Sequence, residues 1–297
     1  MAIDLFSIGK FTIHGYGLMI GLGFLAAVLI GCYRAKLQGL SSDLFSSMAI
    51  YVLIFGFLGG KLLFIIVEFK KFLENPLGAL GSSGFVVYGG IITGLLAIYF
   101  FCKIKKVSVA SYADLIAPSI AINQGFGRIG CFMAGCCYGK ETDSPIGVIF
   151  PEGCLAPAGI KLIPTQLISA IGMLLVGVLL ILIARKTKYK GVITGLYLLM
   201  YSIGRFIIEF FRNDYRGTVG FLSTSQFISI FILVLSIVIL VLSYKKKVPV
   251  CADNLDGATD EAREEAKEEA GAETIEENIE ENNIEENNIE ETGRSDE

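Results

Sequence analysis

Tryptophan is absent from these 297 residues, histidine occurs once, and charged residues make up only 18% of the chain. Soluble domains carry about 25% charge, so a globular cytoplasmic enzyme is excluded. The missing tryptophan removes the usual interfacial anchor of membrane proteins, a place that 12 Tyr and 21 Phe can fill. Seven cysteines in this length are too dilute for a secreted disulfide scaffold. What the chain has in excess is apolar: 53% hydrophobic residues and a mean hydropathy of +0.63. Its few charges are also unevenly placed. Up to residue 250 there are 22 basic and 10 acidic residues, net +12, and after it 3 basic and 19 acidic, net −16. A basic, greasy body is followed by an acidic tail.

A bilayer core of about 30 Å needs about 20 mostly apolar residues in helix. Seven stretches meet this: residues 13–33, 45–67, 85–101, 113–133, 162–184, 192–211 and 221–243. The fourth is so rich in glycine and polar residues that hydropathy alone would miss it. If it crosses, other helices must shield it. The first begins too far in, and lacks a basic leader, to read as a cleaved signal peptide. Basic clusters follow the odd-numbered spans: Arg34 and Lys36, Lys103 to Lys106, Arg185 to Lys190, and Lys245 to Lys247. Basic loops stay inside, so all four share one side only with seven crossings and the N-terminus outside. The expected fold is therefore all-α and polytopic, with about seven transmembrane helices and a cytoplasmic C-terminus.

Residues 1–250 form the membrane domain in this reading, and residues 251–297 an acidic tail. Its IEEN-type repeats place Ile275, Ile279, Ile284 and Ile289 at roughly helical spacing, but like-charged glutamates one turn apart oppose a helix. It reads as a solvated, disordered segment.

Ionisable side chains at membrane depth are expensive and default to functional candidates. With this topology they gather toward the outer leaflet: Tyr16, Lys61, Tyr88, Arg128, Arg205, Glu209 and, at the edge, Arg212. Each has an ordinary alternative. Arg205 and Glu209 can neutralise each other one turn apart, Lys61 can snorkel, and the tyrosines can form an aromatic belt. Arg128 sits among Gly125, Gly127 and Gly130, where free amides and a guanidinium suit an oxyanion or phosphate. Lys61, Arg128, Arg205 and Arg212 against Glu209 leave the group net positive. The inference is an anionic ligand entering from the outer leaflet, with a phospholipid headgroup the best fit.

From about residue 13 to 243 the chain resembles the prolipoprotein diacylglyceryl transferases, bacterial membrane enzymes that lipidate lipoprotein precursors. The resemblance rests on Tyr16-Gly17-Leu18, Gly59-Gly60-Lys61, Tyr88-Gly89-Gly90-Ile91, Asp114 to Pro118, the run Gly127 to Gly139, Pro164 to Leu167, and Arg205 to Arg212, in family order. It implies a multi-pass protein of the bacterial cell membrane. It also implies transfer of diacylglycerol from phosphatidylglycerol to the thiol of a lipobox cysteine in a prolipoprotein signal peptide. In that family role Tyr88, Arg128 and Arg205 would be catalytic. Tyr16, Lys61, Gly127, Arg128, Gly130, Glu209 and Arg212 would bind substrate. No cofactor, no metal and no nucleic-acid partner is expected.

The chain departs from the family pattern at several places. Tyr88 stands where many members have His; Cys131, Ala134 and Cys136 stand where the signature usually has Asn, Asn and Glu. Ile168 and Ser169 replace a frequent Tyr-Glu. His14, the one histidine, reads as an interfacial residue or as a displaced base. Cys131, Cys136, Cys137 and Cys154 read as small apolar residues or as disulfide partners, and their spacing with no histidine nearby is unlike a zinc motif. Two other readings stay open: a lipid-binding relative without activity, and a transporter for an anionic solute. The polar groups stop at one half of the membrane and the Gly127–Gly130 segment has no second copy in the chain, which disfavours transport.

The expected topology makes a direct prediction. A membrane-impermeant thiol reagent on intact cells should label Cys154 and spare Cys251. Labelling of Cys251 with the membrane sealed would overturn the assigned sides.

Overall fold

The computed structural model describes residues 4–8, 11–81, 84–214 and 217–249. The acidic tail expected at 251–297 lies outside the described residues. A hairpin of β1 (Asp4–Ile8) and β2 (Phe11–His14) leads into α1 (Gly15–Leu37), followed by α2 (Ser42–Val67). Two short helices, α3 (Phe69–Glu74) and α4 (Pro76–Gly81), occupy a connection that hydropathy reads as loop. Next come α5 (Val87–Ile104) and α6 (Val109–Ala134), then β3 (Val148–Ile149) paired with β4 (Lys161–Leu162). The chain continues through α7 (Thr165–Ala184), α8 (Val192–Glu209), the pair β5 (Thr218–Val219) and β6 (Leu222–Ser223), and α9 (Thr224–Lys246). The seven stretches expected to cross coincide with seven long helices, displaced by a few residues at their ends.

Local signals explain several boundaries. Ser41 accepts from the Leu44 amide at the start of α2, and Ser108 from the Ser111 amide at the start of α6. Ser223 and Gln226 form a reciprocal capping box at α9, with bonds of 3.2 and 3.1 Å. The side chains are distributed inside out. Leu25, Leu29, Phe57, Leu62, Leu175 and Phe231 are exposed, whereas the buried residues of α9 are Gln226, Ser229, Ser236 and Ser243. The three serine hydroxyls donate to carbonyls of their own helix, at 2.7–2.8 Å, so they enter the interface already satisfied. In water this pattern would aggregate. In lipid it is the expected one, because tails solvate the leucines and small residues let helices approach.

Six of the long helices are apolar enough to cross a membrane, and α6 is the exception. It is the most enclosed of the seven, with eleven buried residues packed by α1, α7 and α8. Small residues make this possible. A side chain at Gly23 of α1 would collide with Asn123 and Phe126, and one at Gly177 of α7 with Ile122. The pair α2–α5 is equally close: Gly89 faces the Gly59 carbonyl, and Thr93 Oγ1 donates to Phe55 O at 2.7 Å.

One polar cluster fixes α6 against its neighbours. Pro118 lacks the N–H that would bond the Asp114 carbonyl, and its ring strains that turn. Arg34 of α1 fills the gap, donating to Leu115 O at 2.7 Å and lying 3.5 Å from Asp114 O. The Asp114 carboxylate then caps another helix. It accepts from Gly191 N at 2.6 Å, Thr194 N at 2.7 Å and Thr194 Oγ1 at 2.6 Å. Gly191, at φ 87°, has no side chain with which to cap α8 itself. A carboxylate at a helix N-terminus also meets the positive end of its dipole.

Asp114→Ala should therefore leave the α8 amides unpaired and lower stability by roughly 2–3 kcal/mol, the scale for a hydrogen-bonded charge. Thermal unfolding in detergent should show a clear fall. An unchanged midpoint would mean α8 is held by packing alone.

Candidate functional site

The site is built at the end of α6, where its last turns meet the start of α1 and the end of α8. Three glycines there have three different surroundings. A Cβ on Gly125 would meet Leu174 at 2.7 Å, so this glycine seats α7. One on Gly130 would lie 3.1 Å from the Tyr16 ring and 3.2 Å from its carbonyl, so this glycine seats α1. A Cβ on Gly127 would meet nothing within 4 Å. The glycines on either side serve helix packing, and the one beside Arg128 borders open space.

The guanidinium groups differ just as clearly. Arg205 lies 3.0 Å from Glu209 on the same helix face and donates to Ser225 Oγ of α9 at 2.6 Å. Its other terminal nitrogen, Nη1, is buried with no hydrogen-bond partner. Glu209 Oε2 sits 3.8 Å from Arg212 Nε as well, but neither approach is aligned as a hydrogen bond. Arg212 is held elsewhere, by a two-pronged pair to Asp214 at 2.9 and 2.6 Å. Burial disfavours its charge, but Asp214 outweighs that and holds the guanidinium above its ordinary value. Arg128 makes no hydrogen bond or ion pair among the described residues, and it lies within electrostatic reach of Tyr16 and Arg205.

Residues 135–163 fold over this end of the bundle. Phe150, Ala156 and Leu162 form a small core that Phe132, Tyr138 and Cys154 complete. The segment is stitched to the end of α8: Lys140 N donates to Phe211 O at 2.8 Å and Asn213 N to Tyr138 O at 3.3 Å. Gln166 and Thr165, from the Pro164–Leu167 run, donate to Cys136 O and Cys137 O at 2.8 and 2.7 Å. None of the six described cysteines is disulfide-bonded.

The other sequence candidates stand on a second pair of helices. Lys61 of α2 donates to Gly84 O at 3.3 Å and lies over the Phe64 ring at 5.2 Å. Tyr88, in the first turn of α5, is 53% exposed and makes no hydrogen bond to any described residue. His14 is the exposed N-cap residue of α1. Thus Tyr16, Arg128, Arg205, Glu209 and Arg212 form one group, and Lys61 and Tyr88 flank another interface at the same end of the bundle.

Reasoning from the sequence missed two partners. Asp214 lies outside every span, yet it takes Arg212. Ser225 belongs to the capping turn of α9 and orients Arg205. An Asp two residues after a membrane-edge Arg was a signal within reach; the Arg205–Ser225 contact needed the fold. The glycine amides that the sequence suggested as free lie inside α6 and are spent on its own ladder. Chemically, the group offers one guanidinium without a hydrogen bond or ion pair among the described residues and one orphaned buried N–H. Such donors suit a phosphate ester and the negative charge that grows when it leaves.

Comparison with known proteins bears on this chemistry. The profile of the family described as prolipoprotein diacylglyceryl transferase matches residues 4–242. The phosphatidylglycerol–prolipoprotein diacylglyceryl transferase of Clostridium tetani is 49% identical over 235 residues, covering 78% of this chain and 94% of the relative. Phosphatidylglycerol–prolipoprotein diacylglyceryl transferase 2 of Clostridium perfringens is 49% identical over 237 residues, covering 79% and 92%. A Clostridium botulinum protein of the first name is 32% identical over 240 residues, covering 78% and 94%.

The glycine geometry predicts opposite outcomes one turn apart. Gly127→Ala should keep stability or add up to about 1 kcal/mol through helix propensity. Gly130→Ala must push Tyr16 away and should lose about 1–3 kcal/mol by overpacking. Thermal unfolding of the two variants in detergent checks this, and a destabilised Gly127→Ala would refute the open patch.

Proposed function

The chain belongs to the prolipoprotein diacylglyceryl transferase family, and from that premise we propose how its residues divide the work of diacylglyceryl transfer. It is a multi-pass transferase of the bacterial cell membrane that moves the diacylglyceryl group of phosphatidylglycerol to a prolipoprotein, the first step of lipoprotein maturation. The acceptor in this reading is a lipobox cysteine thiol. The thiol loses its proton, and sulfur attacks the glyceryl carbon that carries the phosphate. A C–S bond forms as the C–O bond breaks, and the electron pair leaves on the oxygen of glycerol phosphate. The step needs a thiolate and a site for the leaving dianion.

The single observation that carries the assignment is the uncommitted Arg128 beside the open Gly127, with the buried, unpartnered Nη1 of Arg205 within electrostatic reach. Arg128 grips the phosphate, and Arg205, held by Glu209 and Ser225, donates Nη1 to the leaving oxygens. Gly127 leaves room for the headgroup, and Gly130 lets Tyr16 close the wall. Arg212, paired with Asp214, steadies Glu209 and the 135–163 segment. Lys61 and Tyr88 stand at the same end on α2 and α5, where lipid and signal peptide both arrive from the outer leaflet. Tyr88, which makes no hydrogen bond to a described residue, relays the thiol proton to water, accepting it on oxygen as its own proton leaves. The rate should therefore depend strongly on what replaces it.

Substitution tests these roles separately. Arg128→Lys and Arg205→Lys keep the charge but lose planar, paired donation, and each should lower transfer about 10²–10³-fold while the protein accumulates normally. Tyr88→Phe should lower it about 10²–10⁴-fold, the range of acid–base assistance, and Tyr88→His should restore it. Transfer of diacylglyceryl from phosphatidylglycerol to a lipobox peptide is the assay. Full activity in Arg128→Lys removes the phosphate clamp, and full activity in Tyr88→Phe moves the base elsewhere.

A further inference from the structure

Where α6 ends, the fold gathers three thiols that the transfer reaction does not use. Gly135, at φ 67°, terminates the helix, with Gly135 N bonding Phe132 O at 3.2 Å and Cys136 N bonding Cys131 O at 3.1 Å. This paired closure brings the second residue past the end back over the last turn of the helix. Here those two positions are Cys136 and Cys131. Cys137 follows at φ 62°, a left-handed conformation uncommon outside glycine, and brings a third sulfur to the same point. The three Sγ atoms lie within 4.8 Å of one another. Around a metal with bonds of about 2.3 Å, tetrahedral sulfurs stand roughly 3.8 Å apart, so the ligands need only small rotations to close.

We propose that Cys131, Cys136 and Cys137 form a binding site for a single soft metal ion, with Cu(I) as the ion that fits.

The ligand set decides the metal. Three sulfurs with no imidazole or carboxylate among the described residues select a soft ion. Zinc sites take four protein ligands when structural, and three with an open position when catalytic. Cu(I) is satisfied by thiolates alone. Binding replaces three S–H protons, which pass to water, and leaves a complex of net charge −2. Arg128 lies within electrostatic reach of Cys131, and Arg212 within hydrogen-bonding reach of Cys137, so the charge is not isolated. The backbone is anchored in advance, since Gln166 and Thr165 hold the Cys136 and Cys137 carbonyls. Access is open too, because Cys131 and Cys136 are only partly buried.

The test uses the full-length protein in detergent, reduced, desalted and kept anaerobic. Cu(I) is offered in competition with the chromogenic chelator bicinchoninate, and X-ray absorption reads the ligands of the bound ion. One Cu(I) per chain with three sulfur neighbours is expected. Cys131→Ser, Cys136→Ser and Cys137→Ser should each weaken binding beyond the roughly 10–100-fold typical of losing an outer-shell partner. Cys154→Ser and Cys251→Ser should leave it unchanged. Because all these variants are compared by metal affinity on protein that elutes as a single species, a folding defect is seen separately. Failure to withdraw copper from the chelator overturns the proposal. So does retention of copper by Cys136→Ser, or a preference for zinc.

Discussion

The rest of the structure depends on how a polar helix is kept inside an apolar bundle. Pro118 opens the hydrogen-bond ladder of α6 at membrane depth, where an unsatisfied carbonyl is costly. Arg34 reaches in from α1, 3.5 Å from the opened Asp114 O and 2.7 Å from the next carbonyl, Leu115 O, and the Asp114 carboxylate spends its own acceptors on the α8 terminus. Three helices are joined by one proline and two charges. Glycine contacts at Gly23, Gly125, Gly130 and Gly177 then bring α1 and α7 against the remaining length of α6. With that helix fixed at one end and packed along its sides, the other end can present Arg128 without collapsing around it.

The arrangement of charge at the site follows a similar economy. Arg212 is bound by Asp214 in two-pronged geometry, Arg205 shares Glu209 and takes Ser225, and Arg128 is left uncommitted. A site in which every arginine was neutralised could not attract an anion. One in which none was would repel itself in the absence of ligand. Two carboxylates against three guanidiniums give a net single positive charge in this group, which on the proposed reading is held in place before substrate arrives. Preorganisation of this kind is what makes electrostatic stabilisation of a leaving group effective.

The 135–163 segment ties the two themes together. It leaves α6 through the left-handed Gly135, carries its own small core of Phe150, Ala156 and Leu162, and is joined to the end of α8 by hydrogen bonds from Lys140 N to Phe211 O and from Asn213 N to Tyr138 O. The same closure that turns the chain places three cysteines in one spot. The linear pattern Cys131, Cys136, Cys137 matches no metal motif, because the grouping comes from a helix-ending turn and not from the paired spacing of a zinc loop.

Much of this was legible in the amino-acid order alone. Hydropathy and the alternation of basic loops were enough to place seven long helices, six of them apolar enough to cross a membrane, since burying charge in lipid is expensive wherever the helices pack. The same reasoning picked out Tyr16, Arg128, Arg205, Glu209 and Arg212, and the structure groups them at one end of the bundle. It could not apportion them. Whether Arg212 or Arg128 lacks an ion-pair partner among the described residues depends on Asp214, which lies beyond the membrane and carries no depth signal. Which glycine borders open space and which faces a helix depends on what packs at Gly125, Gly127 and Gly130, three positions that look alike in sequence. Lys61 and Tyr88 share the depth of the arginines but stand on a different helix pair, a lateral separation that membrane depth does not encode. Depth is a one-dimensional property and is written in composition and order; lateral neighbours are set by close packing between distant segments, and only the tertiary structure decides them.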